Sequence, residues 1–249
     1  VNKRSLKVKK LLPAVLLILS AAVFVVAQQQ TGSKHNVRPD AASPAPNTIS
    51  TTDNKSAKKS AARYFYEFTQ PDFYVRHILI EHDTGGTGKI TFERHNEETS
   101  FEEPLDMSPE TLARIVQLWG TLGFIESNES YQSERQYPHL GTMKLRMELG
   151  EKKRTAEFNW TNNKDASALV NEYRRIADQA ILLFDISIAR ENQPLNMPKL
   201  MDEFELQLRR NGLSDPKQLV PLLTDISTDE HLPLIARNHA LRLIKKIGK

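Results

Sequence analysis

The sequence predicts an α+β protein: a four-stranded antiparallel sheet built as ββα–ββα, with two helices on one face, followed by a small all-α C-terminal domain. Three observations predict it. Segments that alternate apolar and polar residues come in pairs separated by glycine turns. Each pair is followed by a segment whose apolar residues recur at the helical period. Beyond Pro194 three successive segments keep that helical period.

The first unit opens near Ala61. Asp72–Asp83 is rich in β-branched and aromatic residues and carries apolar side chains on both parities, as a central strand does. Thr84-Gly85-Gly86-Thr87-Gly88 is a turn, and Lys89–His95 returns as a second strand. An acidic loop follows. Ser108-Pro109-Glu110 then announces a helix, with Ser as cap, Pro in the first turn and Glu on the positive end of the dipole. Leu112, Ile115, Val116, Trp119 and Leu122 follow at helical spacing, and Gly123 stops the run.

The second unit repeats the pattern. Thr142–Leu149 and Lys153–Trp160 alternate cleanly around Gly150-Glu151. A two-residue turn there sets Leu145 beside Ala156 and Met143 beside Phe158, which puts both apolar rows on one face. Gly at the first turn position suits a type II′ hairpin. The same parity assigns Trp160 to the core. Asp165 opens a long helix through Leu169, Tyr173, Ile176, Ala180, Leu183 and Phe184, and Arg174-Arg175 fall on its wet face. The domain so defined spans residues 61–190.

Gln193-Pro194 and Met197-Pro198 mark a break, and residues 194–249 read as a helical domain. Lys199–Arg210 is amphipathic and ends at Asn211-Gly212. Asp215-Pro216 begins a second helix, and Pro233 a third that closes at Gly248. Residues 219–248 (LVPLLTDISTDEHLPLIARNHALRLIKKIG) resemble one HEAT-type helical hairpin, through the apolar first helix, Asp229 in the turn, Arg237, Ala240, Leu243 and Ile247-Gly248. The resemblance implies that Asp229 and Arg237 pair across the bend. It covers one repeat, whereas a solenoid needs several. The ββα–ββα half, with its SPET helix start, resembles a domain of unknown function found in exported bacterial proteins, which implies no activity.

Composition narrows the function. The 249 residues contain no Cys, which excludes disulfide scaffolds, Cys-ligated metals and lipobox anchors. The net charge of +3 is misleading. Five of the 34 basic residues lie in positions 1–10, and residues 1–27 hold no Asp or Glu; the remaining 29 basic residues face 31 acidic ones, a balance of −2. The basic footprint of a nucleic-acid binder is therefore missing.

Residues 1–27 read as a signal peptide: a basic start, an apolar run from Leu11 to Ala27, and small residues before Gln28. Uncleaved, the same segment would make a signal-anchored single-pass protein, the one membrane contact the sequence offers. Seventeen residues make a helix of about 25 Å, short of the roughly 30 Å hydrocarbon core, and Pro13 shortens it further. Cleavage and release to the periplasm or the exterior is thus the expectation. Val at position 1 fits a literally translated non-ATG start, hence a bacterial precursor. Residues 28–60 are Gln-, Ser-, Thr-, Asn- and Pro-rich, a composition for a disordered linker.

Few residues look chemical. Asp83-Thr84-Gly85 matches the tripeptide that aspartic peptidases place at a strand end, where two copies share a proton. Asp83 as a catalytic residue would need a dimer to supply the second copy; as a turn residue it needs nothing further. His82, Asp83 and His95 are candidate metal ligands if the first hairpin brings them together, while His77 points to the face opposite His82. The phosphate loops, dinucleotide fingerprint, nucleophile elbow and HExxH of known enzymes are all missing, so no cofactor is expected. The expectation is an exported, non-catalytic protein that contacts an unknown protein partner or the cell envelope. The alternative is a dimeric aspartic-type hydrolase using Asp83.

Overall fold

The computed structural model describes residues 61–248; the predicted signal segment and linker lie outside them. The α+β class with an antiparallel sheet is as predicted, but the sheet has six strands rather than four. The strands are β1 (Arg63–Thr69), β2 (Val75–Asp83), β3 (Thr87–Arg94), β4 (Phe101–Asp106), β5 (Thr142–Leu149) and β6 (Lys152–Phe158). The helices are α1 (Pro109–Thr121), α2 (Lys164–Asn192), α3 (Met197–Arg209), α4 (Val220–Thr228) and α5 (Leu234–Ile247). The strand order is β4-β3-β2-β1-β5-β6, with every neighbouring pair antiparallel.

The two added strands have different physical origins. β1 reads RYFYEFT, and its alternation is real: Tyr64, Tyr66 and Phe68 are buried on the helix-covered face. It lies between the two predicted hairpins, with Tyr66 opposite Ile80 on one side and Leu145 on the other, and so fuses them into one sheet. β4 occupies part of the stretch predicted as an acidic loop. FEEPLD suits an edge, where charged side chains deter further pairing and a residue without an N–H is tolerated.

The second hairpin has the predicted register, with Met143 opposite Phe158, Leu145 opposite Ala156 and Leu149 opposite Lys152. Gly150 takes a φ of 61°, the value a type II′ turn requires at its first position. α1 is capped by Ser108, whose Oγ accepts from the Thr111 N–H at 3.2 Å. Asn163 caps α2 in the same way through Asp165 and Ala166.

α1 and α2 cover the inner face of the sheet and close the first hydrophobic core around Tyr66, Ile80, Phe92, Ile115, Leu145 and Tyr173. α2 continues for 29 residues, about 43 Å at the helical rise. Its C-terminal part, with Leu182, Ile186 and Ala189, belongs to a second core shared with Met201, Phe204 and Leu223. The change from one core to the other falls between Ala177 and Leu182, inside a continuous helix.

A buried polar chain runs through the first core. The His82 Nδ1 lies 2.8 Å from the Asp83 carbonyl, which can only accept, so Nδ1 carries the proton. Nε2 then accepts from the Tyr173 hydroxyl at 2.8 Å, and that hydroxyl in turn accepts from Trp119 Nε1 at 2.9 Å. Burial holds the His82 pKa below its usual value, against the opposing pull of the Asp83 carbonyl.

Two outcomes are expected. Tyr173→Phe strands two buried polar groups, each worth roughly 1–3 kcal/mol, so urea unfolding should show a loss of about 2 kcal/mol or more. A depressed imidazole pKa means the unfolded state binds more protons between its own value, about 6.5, and the folded one. Stability should therefore fall as pH drops from 7 to 5, and His82→Asn should lose less over that interval than the parent chain.

Candidate functional site

A large opening among the described residues lies at the end of the sheet where β1 finishes and β2 begins. It is a cleft of ≈ 880 Å³ between that sheet end and the first half of α2, a size suited to small organic ligands. Phe68, Ile78, Met143 and Phe158 form its apolar floor. Ser167, Asn171, Arg174 and Asp178 line it from α2, on one helical stripe. Phe73, Tyr74 and Trp160 stand around it, 44%, 60% and 44% exposed.

Each rim element is pinned by a polar side chain. Gln70 Nε2 donates to the carbonyls of Pro138 and His139 at 3.1 and 2.8 Å, tying the Phe73 loop to the turn before β5. Asn159 Oδ1 accepts from the Tyr137 N–H at 3.1 Å, and the Asn159 N–H donates to Gln132 at 2.9 Å. Those bonds hold the Trp160 loop, whose ring packs edge-on against Tyr137 at 5.3 Å. Gly141, at φ 85°, lets the turn before β5 lie on the floor: a Cβ there would come within 2.6 Å of the Phe68 ring.

Sequence parity placed Trp160 in the core; it is instead at the rim, because β6 ends at Phe158 and the period of two ends with it. Phe73 and Tyr74 leave the predicted strand for a similar reason. β2 begins only at Val75, with a register shift between Val75 and His77, and the preceding residues form a loop.

Three polar side chains meet in the cleft. Tyr66 is fully buried, and its hydroxyl donates to no acceptor among the described residues. Burial pushes its pKa up to about 12, against the charge and the hydrogen-bonding pull of Arg174, a donor that leaves the hydroxyl's own proton without an acceptor. Arg174 reaches across the floor, with Nη2 3.1 Å from Met143 Sδ and its guanidinium 5.6 Å over the Phe68 ring. Asp178 has an exposed surface on α2, yet its carboxyl borders the apolar lining. Desolvation pushes its pKa up to about 6, opposed by Arg174 and reinforced by Glu203.

A second cavity of ≈ 680 Å³ lies between β4, α2 and the helical tail. Several of its polar groups are already engaged with one another. Thr111 Oγ1 meets Ser214 Oγ at 3.1 Å, and Gln218 Nε2 donates to the Asp106 carbonyl at 3.1 Å. It is a joint between parts of the chain, whereas the first cleft holds an unsatisfied group.

The residues singled out from sequence sit elsewhere. Asp83 ends β2 at the far end of the first hairpin, its Oδ1 accepting from the N–H groups of Gly85 and Thr87 at 2.8 and 3.2 Å. That is the bonding of a turn aspartate. The expected meeting of His82, Asp83 and His95 does not occur. His82 pairs with Gly88 at one end of the hairpin, while the His95 N–H bonds the Tyr74 carbonyl at the other. Both His82 nitrogens are committed as described. Among the described residues no three His, Asp or Glu side chains converge as a metal site. Asp229 is bonded to Arg190 of α2 at 2.7 Å rather than to Arg237, the partner the repeat resemblance implies. Arg237 Nε is buried with no partner. Among the described residues no helix is long and apolar enough to cross a membrane.

No protein-family description matches the chain, and no curated protein matches it.

A raised carboxyl pKa means the folded state penalises the charged form of Asp178 once pH rises through about 6. Asp178→Asn should therefore be more stable than the parent above pH 6, and the gain should shrink as pH falls and vanish below about pH 3, where both states are protonated. Thermal unfolding across that range measures it.

Proposed function

We propose that this is an exported, non-catalytic binding protein, and that its recognition site is the aromatic cleft between α2 and the sheet end. One observation carries the reading: three large aromatic side chains stand half-exposed around a single opening, above a fully buried hydroxyl whose proton meets no acceptor among the described residues. Exposed aromatics around a concave apolar surface are what a ligand covers. The export half of the reading rests on the sequence of residues 1–27, and the non-catalytic half on the turn bonding of Asp83 and the internal bonding of His82.

The test uses a neutral aromatic probe, N-phenyl-1-naphthylamine, whose fluorescence rises in apolar sites. The full chain should bind it, and Phe73→Ala/Trp160→Ala should weaken binding about tenfold. Because both side chains are exposed, the double variant should stay folded, as its circular dichroism would show. Binding unchanged by the double variant would remove the cleft as the site. Casein cleavage at acid pH that Asp83→Asn abolishes would replace the reading with the hydrolase alternative.

A further inference from the structure

We infer that the cleft takes an amphipathic organic anion, its apolar body laid against Phe73, Tyr74 and Trp160 and its oxyanion head held by Arg174 and the Tyr66 hydroxyl. The inference rests on the cleft being the recognition site and adds the chemistry of what enters it.

Arg174 carries the argument for charge. The other arginines along the sheet and α2 have oxygen partners: Arg63 meets Glu81, Arg76 meets Glu93, Arg94 meets Asp185, and Arg190 meets Asp229, at 2.6–3.1 Å, Arg175 meets Glu172, and Arg146 lies 3.8 Å from Glu148. Arg154 has the carbonyls of Phe124 and Glu129. Arg174 has a thioether sulfur, a weak acceptor. Asp178 is one turn along α2, where an i,i+4 pair would ordinarily form, yet the guanidinium lies across the apolar floor instead. Replacing Met143 Sδ by an oxyanion would exchange a poor acceptor for a charge-assisted one in a partly dry site.

Tyr66 specifies the same end of the ligand. A buried hydroxyl whose proton lacks an acceptor costs free energy that a bound acceptor returns. Its raised pKa keeps it protonated near neutrality, so it meets an anion as a donor. The Tyr66 hydroxyl is fully buried at the inner end, Arg174 is an exposed residue of α2 whose guanidinium reaches the floor, and the three exposed aromatics stand at the mouth. That order, head inward and body outward, is what separates an amphipathic ligand from a purely apolar one.

The probes are 1-anilinonaphthalene-8-sulfonate and its uncharged relative N-phenyl-1-naphthylamine, titrated against the full chain at 150 mM salt. Each variant is compared with the parent, so any uptake by the apolar N-terminal segment cancels. Arg174→Gln should weaken the sulfonate about tenfold and leave the neutral amine within about twofold. Tyr66→Phe should weaken the sulfonate about threefold while the chain stays folded by circular dichroism, since the hydroxyl donates to no acceptor among the described residues. Dodecanoate should displace the sulfonate from the parent; an Arg174-dependent displacement assigns the site to acyl as well as aromatic anions, and its failure restricts the site to aromatic ones.

Sulfonate binding indifferent to both Arg174→Gln and Tyr66→Phe, while the amine still depends on Phe73 and Trp160, would overturn the anion and leave the cleft. Indifference of both probes to Phe73 and Trp160 would remove the cleft itself.

Discussion

Two tyrosine rings lie face to face at the centre of the protein, Tyr66 of β1 and Tyr173 of α2, with centroids 5.1 Å apart and planes within 2°. Both are fully buried, so this contact fixes how the longest helix sits on the middle of the sheet. The two hydroxyls have opposite fates. That of Tyr173 joins His82 and Trp119 and closes a polar chain inside the core. That of Tyr66 is left open beside the cleft. One ring pair thus provides both the anchor of the fold and the unsatisfied group at the site, and a buried donor without an acceptor is rare enough to need an explanation.

The outer face of the sheet is organised by charge. Glu67 receives hydrogen bonds from His77 and Lys144, and Lys89 reaches Glu102 and Glu81. Burial tends to raise the Glu67 pKa, but the bonds and charges of Lys144 and His77 outweigh it and hold the carboxyl below its usual range. Exposed pairs of this kind each contribute little stability. Their effect is to pair charges across strands and keep the register unambiguous on a face that no described helix covers. Phe65 is the exception, an aromatic on this face buried beneath the Arg146 guanidinium at 3.6 Å.

Local rules with short reach were legible in the sequence. The β5–β6 register follows from turn length and alternation, and the α1 start follows from Ser108-Pro109-Glu110; both are as read. β1 was equally visible, as Tyr64, Tyr66 and Phe68 in alternation, and its pairing with β2 is local, but its pairing with β5, which fuses the two hairpins into one sheet, depends on contacts far along the chain. β4 was hidden because Glu102, Glu103 and Pro104 are loop-like residues that only an edge accepts. The cleft was the least legible part. Phe73, Tyr74 and Trp160 belong to apolar runs whose periodicity assigns them to strands, and only the exact strand ends turn them outward. Arg174 read as an arginine on a wet helix face and is exposed, but nothing in one dimension shows that its guanidinium reaches Met143. Asp83, His82 and His95 drew attention through residue type alone, and their bonding is that of a turn, a core and a loop.

The continuity of α2 has a mechanical consequence. Its first half packs against the sheet and lines the cleft, and its second half is enclosed by the helical tail, which is further tied to α1 through Ser214, Thr111 and Arg114. A helix this long gains most of its stability from what packs along it, so loosening the tail frays the rod from one end. The helical tail therefore acts as a splint: strain applied at the C-terminus is felt as a softening of the wall that carries Arg174, some three turns of helix away.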